Sequence, residues 1–142
     1  MQEVRWQELT KDECFSLLAG HHLGRVALVD DRGPIALPVN FVLDQHTVLF
    51  RSDEGTKLDV AGRGGRVAFQ IDGVEEATRT GWSVLVRGEA TEVTNPAELA
   101  RARGLPLHAW APGAKGHYIR ILPISLTGRR IALPEAPSNW WG

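Results

Sequence analysis

Four side chains in one short stretch could do chemistry together: Arg51, Ser52, Thr56 and Lys57, within Phe50-Arg51-Ser52-Asp53-Glu54-Gly55-Thr56-Lys57-Leu58. Ahead of them, Thr47-Val48-Leu49-Phe50 reads as a strand. Behind them, Leu58-Asp59-Val60-Ala61 reads as one or two turns of helix. Two cations and two hydroxyls thus flank a helix start. A helix N-terminus offers unpaired N–H donors and about half a positive charge. A phosphate monoester carries roughly −1.5 to −2 charges near neutral pH, so the chemistry this set suits is holding a phosphate. A second reading stays open. A solvated strand–helix connection uses the same residue types, and Asp53 and Glu54 would then be ordinary N-terminal caps. The stretch is not a P-loop, which needs glycine directly before the lysine and a hydroxyl directly after it. Here Thr56 and Leu58 stand there.

Few other groups point to catalysis. Cys14 is the only cysteine, which excludes an intramolecular disulfide and a cysteine metal cluster. His21-His22 lacks an evident third ligand, so no metal site is expected. Gly62-Arg63-Gly64-Gly65 is not a dinucleotide fingerprint, because position 67 is Val and no strand leads into it. The 142 residues suit a single domain, 1–142, with 132–142 as an extended tail. A formal net charge of −1 gives no reason to expect nucleic acid or a membrane as partner. The N-terminus does not read as a signal peptide and no apolar run approaches membrane length, so a cytoplasmic protein is expected. Of the five tryptophans, Trp110, Trp140 and Trp141 fall in irregular or tail segments. Aromatics placed so often mark an interface or a ligand surface; covering the domain's own open end would serve as well.

The positioning elements are mostly strands. Thr10-Lys11-Asp12-Glu13 is a capping box, opening a helix that buries Cys14, Leu17 and Leu18 and stops at Gly20. Leu23 to Val29 and Ile35 to Leu43 form a hairpin about Asp30-Asp31-Arg32-Gly33. Pro38 requires an edge or bulge, and Asn40 reads as a turn or bulge residue or a ligand contact. Val67, Phe69 and Ile71 alternate as one strand, and Val84 to Val93 is the longest, with Gly88 at a bend. Asn95-Pro96 starts a second capped helix ending near Gly104. Tyr118 to Ile131 is a last strand, broken at Pro123 and turned at Gly128. Six or more β segments with three short helices predict a mainly β (α+β) domain, an antiparallel barrel closed on itself.

Taken in order, the motifs resemble a known family: the capped helix with Glu13-Cys14, Gly24-Arg25-Val26-Ala27, Pro38-Val39-Asn40-Phe41, Phe50-Arg51-Ser52 through Gly55-Thr56-Lys57, Gly81-Trp82-Ser83-Val84, Gly88-Glu89-Ala90, and Thr127-Gly128-Arg129-Arg130-Ile131. Over residues 8–131 the chain resembles the pyridoxamine 5′-phosphate oxidase-like split-barrel flavoproteins, in particular their small nitroimidazole-reductase-like branch. The resemblance implies a six-stranded antiparallel split β-barrel with short peripheral helices, working as a homodimer with flavin mononucleotide (FMN) between the subunits. It implies that Leu37, Pro38, Val39 and Asn40 lie along the flavin ring. Arg51, Ser52, Thr56 and Lys57 would hold the phosphate, Phe50 would be a further cofactor-binding residue, and Ser83 would reach the cofactor. Trp110, an indole in an irregular segment, is on the residues' own chemistry a candidate wall of the groove, with covering the barrel's open end as the alternative. The implied activity is FMN-dependent oxidoreduction of a small organic molecule. The family also admits a non-catalytic flavin-sequestering role or a deazaflavin-dependent reductase. The segment Ser138-Asn139-Trp140-Trp141-Gly142 departs from the basic, histidine-containing end of enzymes that oxidise vitamin B6, so that substrate is not implied.

Overall fold

The computed structural model describes residues 5–52, 64–107 and 116–132. Within them the order is β1 (Arg5–Glu8), α1 (Lys11–Ala19), β2 (Leu23–Asp30), β3 (Gly33–Asp44), β4 (Thr47–Ser52), β5 (Gly65–Glu75), β6 (Thr80–Glu92), α2 (Pro96–Arg103) and β7 (His117–Ala132). The expected helix after Lys57 and the segments holding Trp110, Trp140 and Trp141 lie outside the described residues.

The seven strands form one sheet in the order β1-β7-β4-β3-β2-β5-β6, and β6 also pairs with β7. That last pairing closes six strands into a ring, in keeping with the expected split barrel. β1 stands outside the ring, against the far end of β7; the sequence reading did not foresee it. Every strand pairing is antiparallel. β7 carries the closure. One side runs along β6 from Ile119↔Glu92 to Ala132↔Thr80. The other side pairs with β4 at residues 117–121 and with β1 at residues 129–132, leaving a gap between.

α1 sits at this gap. Thr10 Oγ1 accepts from the Glu13 N–H at 3.1 Å, and Glu13 Oε1 accepts from the Thr10 N–H at 3.0 Å, so the capping box is complete. Cys14 and Leu18 point into the core, and the Leu9 N–H donates to the Gly128 carbonyl at 3.0 Å. A side chain at Gly128 would meet Cys14 Sγ at 2.7 Å. Gly128 is therefore where the helix closes on the strand, not a turn. β7 is likewise unbroken at Pro123. A bulge between Arg87 and Gly88 pairs Ser125 and Pro123 with them and leaves Ile124 as the extra residue, which accommodates the missing proline donor. Gly88 is required there, since a Cβ would run into the Leu122 carbonyl. Pro38 also sits as expected: it pairs with Arg25 of β2, but β4 joins β3 only from Phe41, so among the described residues an edge is open beside it. Asn40 makes neither turn nor bulge and stays in the ladder opposite Leu23.

Alternation sorts the side chains. Val26, Leu28, Val39, Phe41, Val48, Phe50, Phe69, Ile71, Val84, Val86, Ile119 and Ile121 fill the ring. A second cluster lies outside it, where Leu49, Tyr118, Val93, Ala102 and Leu107 pack between β4, β7 and α2. A buried carboxylate fastens α2 there. Asp44 is 4% exposed. Arg101 of α2 donates to its Oδ2 at 2.7 Å and Oδ1 at 2.5 Å, and Arg120 of β7 donates to Oδ2 at 3.0 Å. Arg120 also donates to Thr47 Oγ1 at 2.6 Å, and Thr47 donates to the Asp44 carbonyl at 2.6 Å. Those bonds, led by Arg101, hold the Asp44 carboxyl below the usual carboxylate range.

Two outcomes are expected. Asp44→Ala strands two arginines against the sheet and should cost about 3–5 kcal/mol in urea denaturation, the scale of a broken buried pair. Because folding lowers the Asp44 pKa, its contribution is present above the unfolded value of about 3.9 and fades as pH falls below it. The wild type should therefore lose stability in that acid window more steeply than Asp44→Asn. Gly88→Ala should cost about 1–3 kcal/mol by overpacking, and melting temperatures compared with Glu89→Ala would show whether the bulge is that tight.

Candidate functional site

The outer face of the ring gathers three of the polar residues singled out in the sequence, Asn40, Arg51 and Ser83. Along β3, Val39 and Phe41 point inward and are buried, so Pro38 and Asn40 point outward. Along β4, Phe50 is fully buried in the core and Arg51 lies on the outer side with Leu49. Phe41 pairs with Phe50, and one further step of that register carries Asn40 and Arg51 to the same outer face. The row of Asn40 continues to Leu23 of β2. Extending the β2–β5 register from Arg25↔Gln70 leads to Asp72, which pairs with Ser83 of β6. Asn40 and Ser83 thus share a row, three strand spacings or about 14 Å apart on a flat sheet.

Leu37, Val39 and Phe50 fall on the other side. Leu37 stands opposite the buried Val26, and the Val39 and Phe50 side chains belong to the core. These three can offer a ligand on the outer face their backbone only. Thr56, Lys57 and Trp110 lie outside the described residues.

Among the described residues Arg51 is the cation beside Asn40, and the structure seats it. It stands opposite Tyr118 in the β4–β7 ladder, and its guanidinium carbon lies 5.3 Å from the Tyr118 ring centroid. Such a separation is within cation–π range. Ser52, 2% exposed, pairs with His117 on the inward side. His117 Nδ1 lies 3.1 Å from Glu92 Oε1, so the mouth of the ring below Arg51 is polar. Neither Tyr118 nor His117 stood out in the sequence. The alternation of β7 could have put Tyr118 on one face, but its partner across the ladder depends on register.

Beyond Pro38 the outer face turns small and apolar. Ala36, Ala27 and Ala68 follow one another across β3, β2 and β5. Beside them a cleft of about 460 Å³ is lined by Ala27, Val29, Pro34, Leu85 and Ile124 together with Arg66 and Arg87. Val29 and Ile124 are 69% and 61% exposed. A polar group interrupts the face above: Arg25 lies 3.6 Å from Asp72, and Gln70 donates to Asp72 at 2.7 Å. Low side chains at Ala36, Ala27 and Ala68 let a flat group or another surface approach the sheet closely, with Arg51 beyond one end to meet an anion. This arrangement fits a planar heterocycle carrying a phosphate.

Comparison with known proteins agrees with the topology. Residues 10–130 match the family model described as pyridoxamine 5′-phosphate oxidase. An uncharacterised protein of Mycobacterium tuberculosis is 39% identical over 129 residues, 87% of this chain and 84% of its own length. The structure of an FAD-binding protein from Mycobacterium smegmatis is similar at a TM-score of 0.75 and 40% identity, covering 87% of this chain and 98% of that one. An FAD-binding protein from Mesorhizobium loti is similar at a TM-score of 0.73 and 25% identity, covering 88% and 97%. No helix among the described residues is long and apolar enough to cross a membrane. A ring of antiparallel strands closed by β7, with the matched motifs spread along nearly all of it, makes this chain a member of the pyridoxamine 5′-phosphate oxidase family.

Proposed function

We propose that this chain binds flavin mononucleotide on the outer face of β3 and β4 and works as an FMN-dependent oxidoreductase on a small organic molecule. The observation that carries the reading is Arg51, a cation at the end of β4 seated over Tyr118 and one register step from Asn40. Thr56 and Lys57 would complete the phosphate grip, with Ser52, whose side chain is turned inward, offering only its backbone; Pro38 and Asn40 would border the ring, and Ser83 would reach it from β6. The FAD-binding relatives in Mycobacterium smegmatis and Mesorhizobium loti support the flavin class. FMN is the finer choice, because one phosphate suits one compact set of donors. A bound flavin would supply the redox chemistry itself; the chain's residues would orient it, shield it and leave room for a small molecule beside it.

The working form on this reading is a homodimer. The small, open surface of Ala27, Ala36, Ala68, Val29 and Ile124 continues from Pro38, and a second copy laid on it would turn an open face into a groove. Trp110 and the tail with Trp140 and Trp141 would then be candidates for its wall.

Release of the cofactor by denaturing the purified protein is the direct test. FMN is expected in the supernatant; a deazaflavin would replace this reading with the reductase that uses one. FMN that no nicotinamide, quinone or nitroaromatic substrate turns over would leave a carrier in place of an enzyme. Lys57→Ala should weaken FMN by about 1.5–3 kcal/mol, the scale of a charge-assisted bond, and leave riboflavin nearly unchanged. Equal loss for both ligands in a titration would make Lys57 structural. Sedimentation should give a dimer burying more than about 2,000 Å², and a monomer that keeps its flavin would rule the dimer out.

A further inference from the structure

We propose that Tyr118 is a positioning residue of the phosphate subsite, holding the Arg51 guanidinium where an anion can meet it; this rests on the reading of Arg51 as a phosphate ligand. The two residues face each other in the ladder, 5.3 Å from guanidinium carbon to ring centroid. An arginine at a strand end has several rotatable bonds, and gripping an anion costs that freedom. The Tyr118 ring beside the guanidinium takes part of that loss during folding instead.

The ring can do this because it is buried and packed on several sides. Tyr118 is 6% exposed. It packs with Leu49, Val93, Ala102 and Leu107. Ala102 belongs to α2, whose neighbouring Arg101 is fastened to Asp44 by two hydrogen bonds. Arg120, on the same face of β7 as Tyr118, joins that carboxylate at 3.0 Å. The buried ion cluster therefore fixes the helix, the helix backs the ring, and the ring seats the arginine.

The experiment compares FMN and riboflavin affinities of the full chain for wild type, Arg51→Ala, Tyr118→Phe, Tyr118→Leu and the Arg51→Ala/Tyr118→Leu double variant. Tyr118→Phe should stay near the wild type, because the ring face remains. Tyr118→Leu should weaken FMN by about three- to thirtyfold, the span of a cation–π contact, with riboflavin unchanged. That loss should vanish in the Arg51→Ala background. A loss shared by both ligands, or one that persists without Arg51, overturns the positioning role. Tyr118 is the only tyrosine in the chain, so growth on fluorinated tyrosine alters this ring alone. With the phenol kept protonated, added fluorine should weaken FMN stepwise and the fluorine resonance should shift with FMN but not with riboflavin. Unchanged FMN affinity in that series overturns the proposal even where Tyr118→Leu does not fold. Should Arg51→Ala leave both affinities unchanged, the phosphate reading falls and this inference with it. An effect of Arg51→Ala with none at Tyr118 removes the inference alone.

Discussion

Hydrogen bonding along β7 is the constraint on which the molecule depends. This strand, His117–Ala132, holds three others: β6 along one side, β4 and β1 on the two ends of the other. Without the β6–β7 ladder the sheet would be open, with long unpaired edges of a kind that invite aggregation. With it, six strands close into a ring. Following β6 around the ring requires a bend, and the bulge at Ile124 opposite Gly88 supplies it. The gap between β4 and β1 is covered by α1, whose Cys14 packs against Gly128.

Closing a ring leaves one layer of sheet with two faces, and the two are handled differently. The inner face is filled by aromatic and branched side chains. The outer face is covered by α2 over β4 and the start of β7, and among the described residues no element lies over it along β3, β2 and β5. The boundary between those regions falls at Arg51, Tyr118 and Asn40. Asp44 sets the covered side. Its carboxylate is almost fully removed from water, which is tolerable only because two guanidinium groups and no fewer than three N–H donors meet it. The same pair of arginines joins a helix to two strands, so the covered part of the face is rigid where it borders the open part.

A rigid border next to an open surface of low side chains is a physical basis for binding a flat, charged molecule. The surface supplies area at little side-chain cost, since Ala27, Ala36 and Ala68 lose almost no rotamer freedom. The border supplies charge at a fixed place. The mouth of the ring, with Ser52, His117 and Glu92, keeps that end polar while the core behind Phe50 stays dry.

Much of this was legible in the residues themselves. Alternating apolar positions dictated the strands. Thr10 with Glu13 and Asn95 with Pro96 dictated two helix starts, because side-chain caps satisfy backbone donors locally. Pro38 and Gly88 marked an open edge and a bend, since a missing N–H and a missing Cβ act at their own positions. The ordered motifs also indicated the family and the expectation of phosphate chemistry near Arg51. Tertiary structure decided what depends on register. β1 carries only four residues, all exposed, so no buried pattern announced it; pairing with β7 made it a strand. Pro123 and Gly128 looked like breaks, yet a bulge and a helix contact keep β7 continuous. Leu37, Val39 and Phe50 adjoin the ligand candidates in sequence but face the core, because side chains alternate along a strand. Asp44 and Arg101 lie 57 positions apart, and Arg51 and Tyr118 are distant in the chain too. Only closure of the ring sets those pairs side by side, and nothing local in the chain encodes it.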